Sequence, residues 1–124
     1  MRIWDVPVDQ LCRNHLLGEH RELHAVWNII TLGKSGYSTH PETKRWIGKL
    51  GALYRRHEEE AIEIARRGWR HESPLDGSLA TGRSVQDSFV TAVPEQRRIL
   101  TERGCGCLGE RQEGAGSVMY PQSR

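Results

Sequence analysis

Long apolar runs are missing from this sequence. The longest, Ala25 to Leu32, is interrupted by Asn28 and Thr31 and falls short of the ~18–20 residues that span a bilayer, so no membrane span is expected. No apolar leader with a small-residue cleavage site follows the opening Met1-Arg2-Ile3-Trp4-Asp5; nothing directs export, and the expected location is cytoplasmic. Cysteine is scarce: Cys12, Cys105 and Cys107 are an odd set, which argues against a disulfide framework and agrees with a reducing compartment. Aromatics are 6% and apolar residues 36% of 124 residues, enough for one modest core but not for two domains. Residues 1–107 read as that domain, and 108–124, rich in Gly, Gln, Ser and Arg, as a disordered tail. A strong charge of one sign is also lacking. The net charge is +2, but residues 1–71 hold twelve Lys and Arg against nine Asp and Glu, a bias toward an anionic partner.

What the sequence does contain is helical periodicity. From Val8 or Asp9 onward, Cys12, Leu16, Leu23, Trp27 and Ile30 fall in one arc at about 100° per residue, predicting an amphipathic helix that ends near Leu32-Gly33. Gly33 to His40 reads as a loop. Pro41 opens a second helix expected to run to Arg67, roughly seven turns, with Gly68 as its stop. Its apolar set is Trp46, Leu50, Leu53, Tyr54, Ala61, Ile64 and Ala65. Residues 73–93 shift to Gly, Ser, Asp and Pro and read as a loop packed over the two helices. Pro94 to Arg103, closed by Gly104, predicts a short third helix. The fold class is therefore all-α, a single domain with a loop-rich C-terminal part.

On the first helix His15, Glu19 and Glu22 share one shoulder at spacings of four and three. If that shoulder is half buried, one carboxylate should have a raised pKa, as a general acid or base near neutral pH requires; ordinary solvated or core-edge groups would show the same spacing. On the second helix Lys44, Arg45, Arg55, Arg56, Arg66 and Arg67 project away from the apolar arc, with Lys49 at its edge. Such a row suits a phosphate backbone, and it equally suits a solvated face with Arg55–Glu59 and Arg56–Glu60 pairs. Lys34 in the Gly-rich loop adds to the phosphate reading. No metal is expected. His20 and His24 are spaced to chelate but lack the zincin glutamate between them, with Arg21 beside them, and Cys105-Gly106-Cys107 with Cys12 falls short of four ligands unless a histidine joins.

Arg2-Ile3, His15-Leu16, Glu19 and the triplet Arg21-Glu22-Leu23 resemble the N-terminal helix of the phage-type pyrimidine-dimer glycosylases of the endonuclease V family. Lys49-Leu50, Leu53 and Arg67-Gly68-Trp69 are similar to that family's second long helix, so the resemblance covers roughly residues 1–70. It implies a DNA-repair enzyme that excises cyclobutane pyrimidine dimers from damaged double-stranded DNA, with an associated abasic-site lyase. The resemblance makes the α-amine of Met1 the nucleophile and Glu22 the catalytic carboxylate. It also sets Arg2 and Arg21 on phosphates and His15 near the site. Lys34, Lys44, Arg45 and Lys49 complete the expected DNA contacts. No cofactor, no metal and no obligate protein partner are implied, and a monomer is expected.

Three departures from the family accompany this. Arg2 is too bulky for routine removal of Met1, so the amine is that of methionine rather than threonine, at a preserved distance from the glutamate. Ala25 stands where the archetype has a further site arginine. The archetype's aromatic, basic C-terminal segment has no counterpart in residues 108–124. Two rival readings are a non-catalytic DNA-binding or architectural module on the same scaffold, and a small helical protein-interaction domain without salt-dependent DNA affinity.

Overall fold

The computed structural model describes residues 2–36, 38–71 and 73–109. Its first long helix, α1, spans Arg13–Leu32 and buries Leu16, Glu19, Leu23, Val26 and Trp27. Gly33 ends it in the left-handed conformation (φ 67°), where its N–H reaches Ile29 O and glycine avoids the Cβ penalty. The start lies later than the periodicity indicates. A 3-10 turn occupies Val8–Gln10, and Leu11 and Cys12 are extended before the helix begins. Leu11 is drawn into the core at 2% exposure, and Cys12 lies against His15 Nδ1.

The expected helix from Pro41 to Arg67 is two helices. α2 is a single turn, Pro41–Lys44, with the His40 side chain accepting from Glu42 N; α3 is Leu50–Arg66. Gly48 interrupts them at φ 80°, and its carbonyl accepts from Arg83 N at 2.9 Å. Between them Arg45 and Trp46 are buried, each bonded to the Glu42 carboxylate. The break rotates the residues before it out of phase with α3.

On α3 the inward stripe is Leu50, Leu53, His57, Glu60 and Ile64, alternating spacings of three and four as one helix face requires. Two of its five positions are polar. They meet Glu19 and His20 of α1, so a polar layer divides the hydrophobic interior in two. One cluster centres on Leu23, Trp27, Trp46 and Leu53; the other gathers Trp4, Leu16, Ile64 and Leu100. The extended N-terminal segment bridges them, with Ile3 in the first and Trp4 and Val6 in the second.

The third expected helix is present as α4, Val93–Arg103, stopped by Gly104 at φ 62°. The segment before it packs on the start of α3: Thr81 O and Arg83 O accept from Gly51 N and Ala52 N at 2.8 and 2.9 Å, satisfying donors that a helix start leaves unpaired. Gly82 makes this approach possible, since a Cβ there would come within 2.2 Å of Gly48 O. An isolated antiparallel bridge, Lys49 to Gly82, is the strand-type pairing found among the described residues. No helix among them is long and apolar enough to cross a membrane.

Candidate functional site

The N-terminal segment is tied to α1 by one buried bond: Trp4 N–H donates to Glu19 Oε1 at 2.9 Å. Glu19 also accepts from Arg56 Nε at 2.7 Å and Nη2 at 3.1 Å, and Arg56 Nε lies 3.7 Å from Glu60 Oε2. Both carboxylates have fully buried side chains. One guanidinium thus serves two buried acids, and burial pushes both upward, Glu19 well above its ordinary range and Glu60 to about 6. Arg56 only partly offsets that desolvation. Glu60 Oε1 lies 2.8 Å from His20 Nδ1.

The shoulder of His15, Glu19 and Glu22 is therefore split by the fold. Glu19 belongs to the buried layer, Glu22 is half buried one residue before the core Leu23, and His15 Nδ1 lies by the Cys12, Cys105 and Cys107 sulfurs. Met1 lies outside the described residues. Its neighbour Arg2 sits 4.6 Å over the Trp4 ring, and its Nη1 is buried without a hydrogen-bond partner. A cavity of about 240 Å³ opens beside it, walled by Asp5, His40, Glu42, Thr91 and Gln96; Glu22 is not among its lining residues.

The expected DNA-facing cations divide. Arg21, Lys34 and Lys44 are exposed. Arg45 is 8% exposed and holds Asp5, Glu42, Ile3 O and Ser88 O, so it braces the fold rather than facing solvent. Lys49 is spent on Gln86, Asp87 and Ser88 at 2.8–3.0 Å. His15 is likewise withdrawn: its Nδ1 lies 3.1, 3.4 and 3.3 Å from the sulfurs of Cys12, Cys105 and Cys107. Its pKa is lowered by burial and by the charge of Arg103.

Two ligand-type clusters thus stand where incomplete sets had argued against metal. Cys12, His15, Cys105 and Cys107 form one; His20, His24, His57 and His71 form the other, each with its candidate ligand atoms within 4.8 Å of one another. His15 is the histidine the cysteines lacked. His57 and His71 escaped the sequence reading because one lies on α3 and the other beyond it. The available signals were His57 at a core-facing position of α3 and the spacing Cys12-x-x-His15. In the histidine cluster, burial lowers His20, His24 and His71, and the neighbouring imidazoles take His24 down to about 4.

No curated protein matches this chain, and no solved structure matches it. A family model does: residues 1–76, which include the N-terminal segment, α1 to α3, Glu22 and the polar layer, match the family described as pyrimidine dimer DNA glycosylase. That match covers more than half of the chain, and the protein belongs to the pyrimidine dimer DNA glycosylase family.

Proposed function

We propose that this protein excises cyclobutane pyrimidine dimers from double-stranded DNA and nicks the resulting abasic site, with the α-amine of Met1 as nucleophile and Glu22 as its carboxylate partner. Beyond the family match, the reading is carried by the Trp4 N to Glu19 Oε1 bond at 2.9 Å. It holds Trp4 against α1 at Glu19, three residues before Glu22, and Ile3 joins Leu23 and Val26 in one buried cluster. A core-anchored segment of this kind can hold a terminal amine to a fixed geometry.

The amine suits the task because an α-amino group has a pKa of about 7.7–8.0, leaving a useful unprotonated fraction near neutral pH. Its nitrogen attacks C1′ of the damaged nucleotide, the glycosidic C–N bond breaks, and the base leaves with a proton. Ring opening then gives a Schiff base. Its iminium acidifies C2′; loss of that proton expels the 3′ phosphate by β-elimination, and hydrolysis returns the amine. The Glu22 carboxyl group stabilises the positive charge developing at the sugar and relays protons during ring opening. Arg2 and Arg21 take phosphates flanking the lesion. The damaged pair opens most readily because its unpairing costs least.

Borohydride trapping tests this. The chain is incubated with a duplex bearing a thymine dimer and, separately, an abasic site, and covalent adducts are resolved by mass. Adducts on both, lost on acetylation of the Met1 amine and reduced at least 100-fold in formation rate in Glu22→Gln, are expected. An adduct on the abasic site alone moves the lesion elsewhere. No adduct despite tight binding replaces the enzyme with a non-catalytic DNA-binding module.

A further inference from the structure

The polar layer between α1 and α3 holds more histidine than the proposed reaction uses. We propose that His20, His24, His57 and His71 form a binding site for a divalent first-row transition ion of the zinc class. His20 and His24 are one turn apart on α1, His57 faces them from α3, and His71 completes the set from the segment beyond. One ring nitrogen of each lies within 4.8 Å of the others, and the Nε2 atoms of all four are buried without a hydrogen-bond partner.

A buried polar atom left unsatisfied costs about 1–3 kcal/mol. A cation among these clustered ring nitrogens would give each neutral imidazole's unprotonated nitrogen the partner it lacks. Tetrahedral Zn–N bonds of about 2.0–2.1 Å place ligand nitrogens roughly 3.3 Å apart, so small side-chain rotations bring this set to bonding distance. The outer partners fit as well. Glu60 Oε1 lies 2.8 Å from His20 Nδ1 and Glu58 Oε2 lies 2.8 Å from His57 Nδ1, and a carboxylate on Nδ1–H fixes the tautomer whose Nε2 is free to bind. Nitrogen donors disfavour magnesium and calcium, which take oxygen. The ion would enter from a cavity of about 450 Å³ lined by His20, His24 and His71. Arg21, on its rim, is exposed, so water and salt screen its repulsion.

The test uses the full chain, stripped with chelator and titrated with Co²⁺ and Zn²⁺. In a Cys105→Ser/Cys107→Ser background the all-imidazole site gives visible d–d bands without thiolate charge transfer, and in the unaltered chain Zn²⁺ moves the Nε2 resonances of all four histidines in long-range ¹H–¹⁵N spectra. A folded His24→Gln/His71→Gln double variant should lose about one equivalent of bound metal. Unmoved Nε2 resonances in the unaltered chain, or unchanged metal content in the folded double variant, overturns the proposal.

The cysteine cluster carries a second inference on independent geometry. Three sulfurs lie 3.1–3.4 Å from His15 Nδ1, already close to the roughly 3.5 Å edge of a tetrahedral zinc with bonds of about 2.3 Å to sulfur and 2.0–2.1 Å to nitrogen. The Cys12 N–H also donates to Cys107 Sγ at 3.0 Å. We infer that Cys12, His15, Cys105 and Cys107 hold a structural zinc-class ion in a closed site that fastens the segment after α4 to the start of α1. Co²⁺ should give a near-ultraviolet thiolate-to-metal band, diminished in Cys105→Ser, and Zn²⁺ should slow alkylation of the three thiols at least tenfold. An intact mass two hydrogens light with no bound metal, showing a disulfide instead, overturns the inference, as does alkylation that Zn²⁺ leaves unchanged.

Discussion

Replacing Arg56 by Met tests the buried layer directly. Arg56 gives Glu19 two hydrogen bonds, at 2.7 and 3.1 Å, and both partners are largely withdrawn from water, at 12% and 0% side-chain exposure. Methionine keeps much of the volume but leaves two buried carboxylates without their cation. Removing one partner of a buried pair costs about 3–5 kcal/mol. At about 4 °C per kcal/mol for a domain of this size, the melting temperature should fall by about 12–20 °C. The sign of the pH dependence follows from burial. An acid held above its unfolded pKa contributes stability that is present below the unfolded value and lost as pH rises through the folded one. Without Arg56 the pKa of Glu19 rises further, so the deficit should be larger at pH 7 than at pH 5. Adding Glu19→Gln should recover part of the loss, because only Glu60 is then left without its cation and the amide oxygen still accepts from Trp4 N. Thermal melts by circular dichroism at both pH values, in chelator, read all of this. A loss under about 1 kcal/mol, typical of a solvent-exposed pair, would refute the reasoning.

Three further outcomes are expected. Gly82→Ala places a Cβ 2.2 Å from Gly48 O at a φ of 79°, so urea denaturation should show a loss of at least about 2 kcal/mol and faster amide exchange at Gly51 and Ala52. Lys34→Gln and Lys44→Gln, at exposed positions, should each lower the salt slope of duplex binding by about 1 if they meet phosphates, whereas Lys49→Gln, already bound to Asp87, should leave the slope unchanged. Glu60 is raised by burial to about 6, so metal-free protein should lose up to about 2 kcal/mol through it between pH 4.5 and 6; Glu60→Gln should flatten that part of the stability profile.

The sequence carried the helices well and their phases less well. α1 follows from apolar spacing and Gly33, and α4 from Pro94 and Gly104. The break between α2 and α3 was hidden because Pro41 signals a start and no proline signals a stop; Gly48 does the work at φ 80°. That break also explains why Arg45 read as projecting away from the apolar arc, with Lys49 at its edge: a wheel drawn through 41–67 assigns them faces that the chain does not keep. The two clusters were illegible for a different reason. Cys12 and Cys107 stand 95 residues apart, and His71 lies on no helix, so no local spacing unites either set.

The polar layer has a consequence for the site itself. An unbroken series of contacts runs from Trp4 N to Glu19, to Arg56, to Glu60, to His20 and on to the rings of His24, His57 and His71, whose centroids lie 4.7–4.9 Å from that of His20. Each link is buried or half buried, where charge interactions are weakly screened. The N-terminal segment is therefore held by a carboxylate, Glu19, linked through Arg56 to the one that orients His20. A core of leucine at positions 19, 57 and 60 would be simpler to stabilise, but it would offer no acceptor for Trp4 N. In this fold the buried Glu19 carboxylate is what accepts Trp4 N on α1, and the Arg56 guanidinium that holds it also faces Glu60, the carboxylate partner of His20 in the histidine cluster.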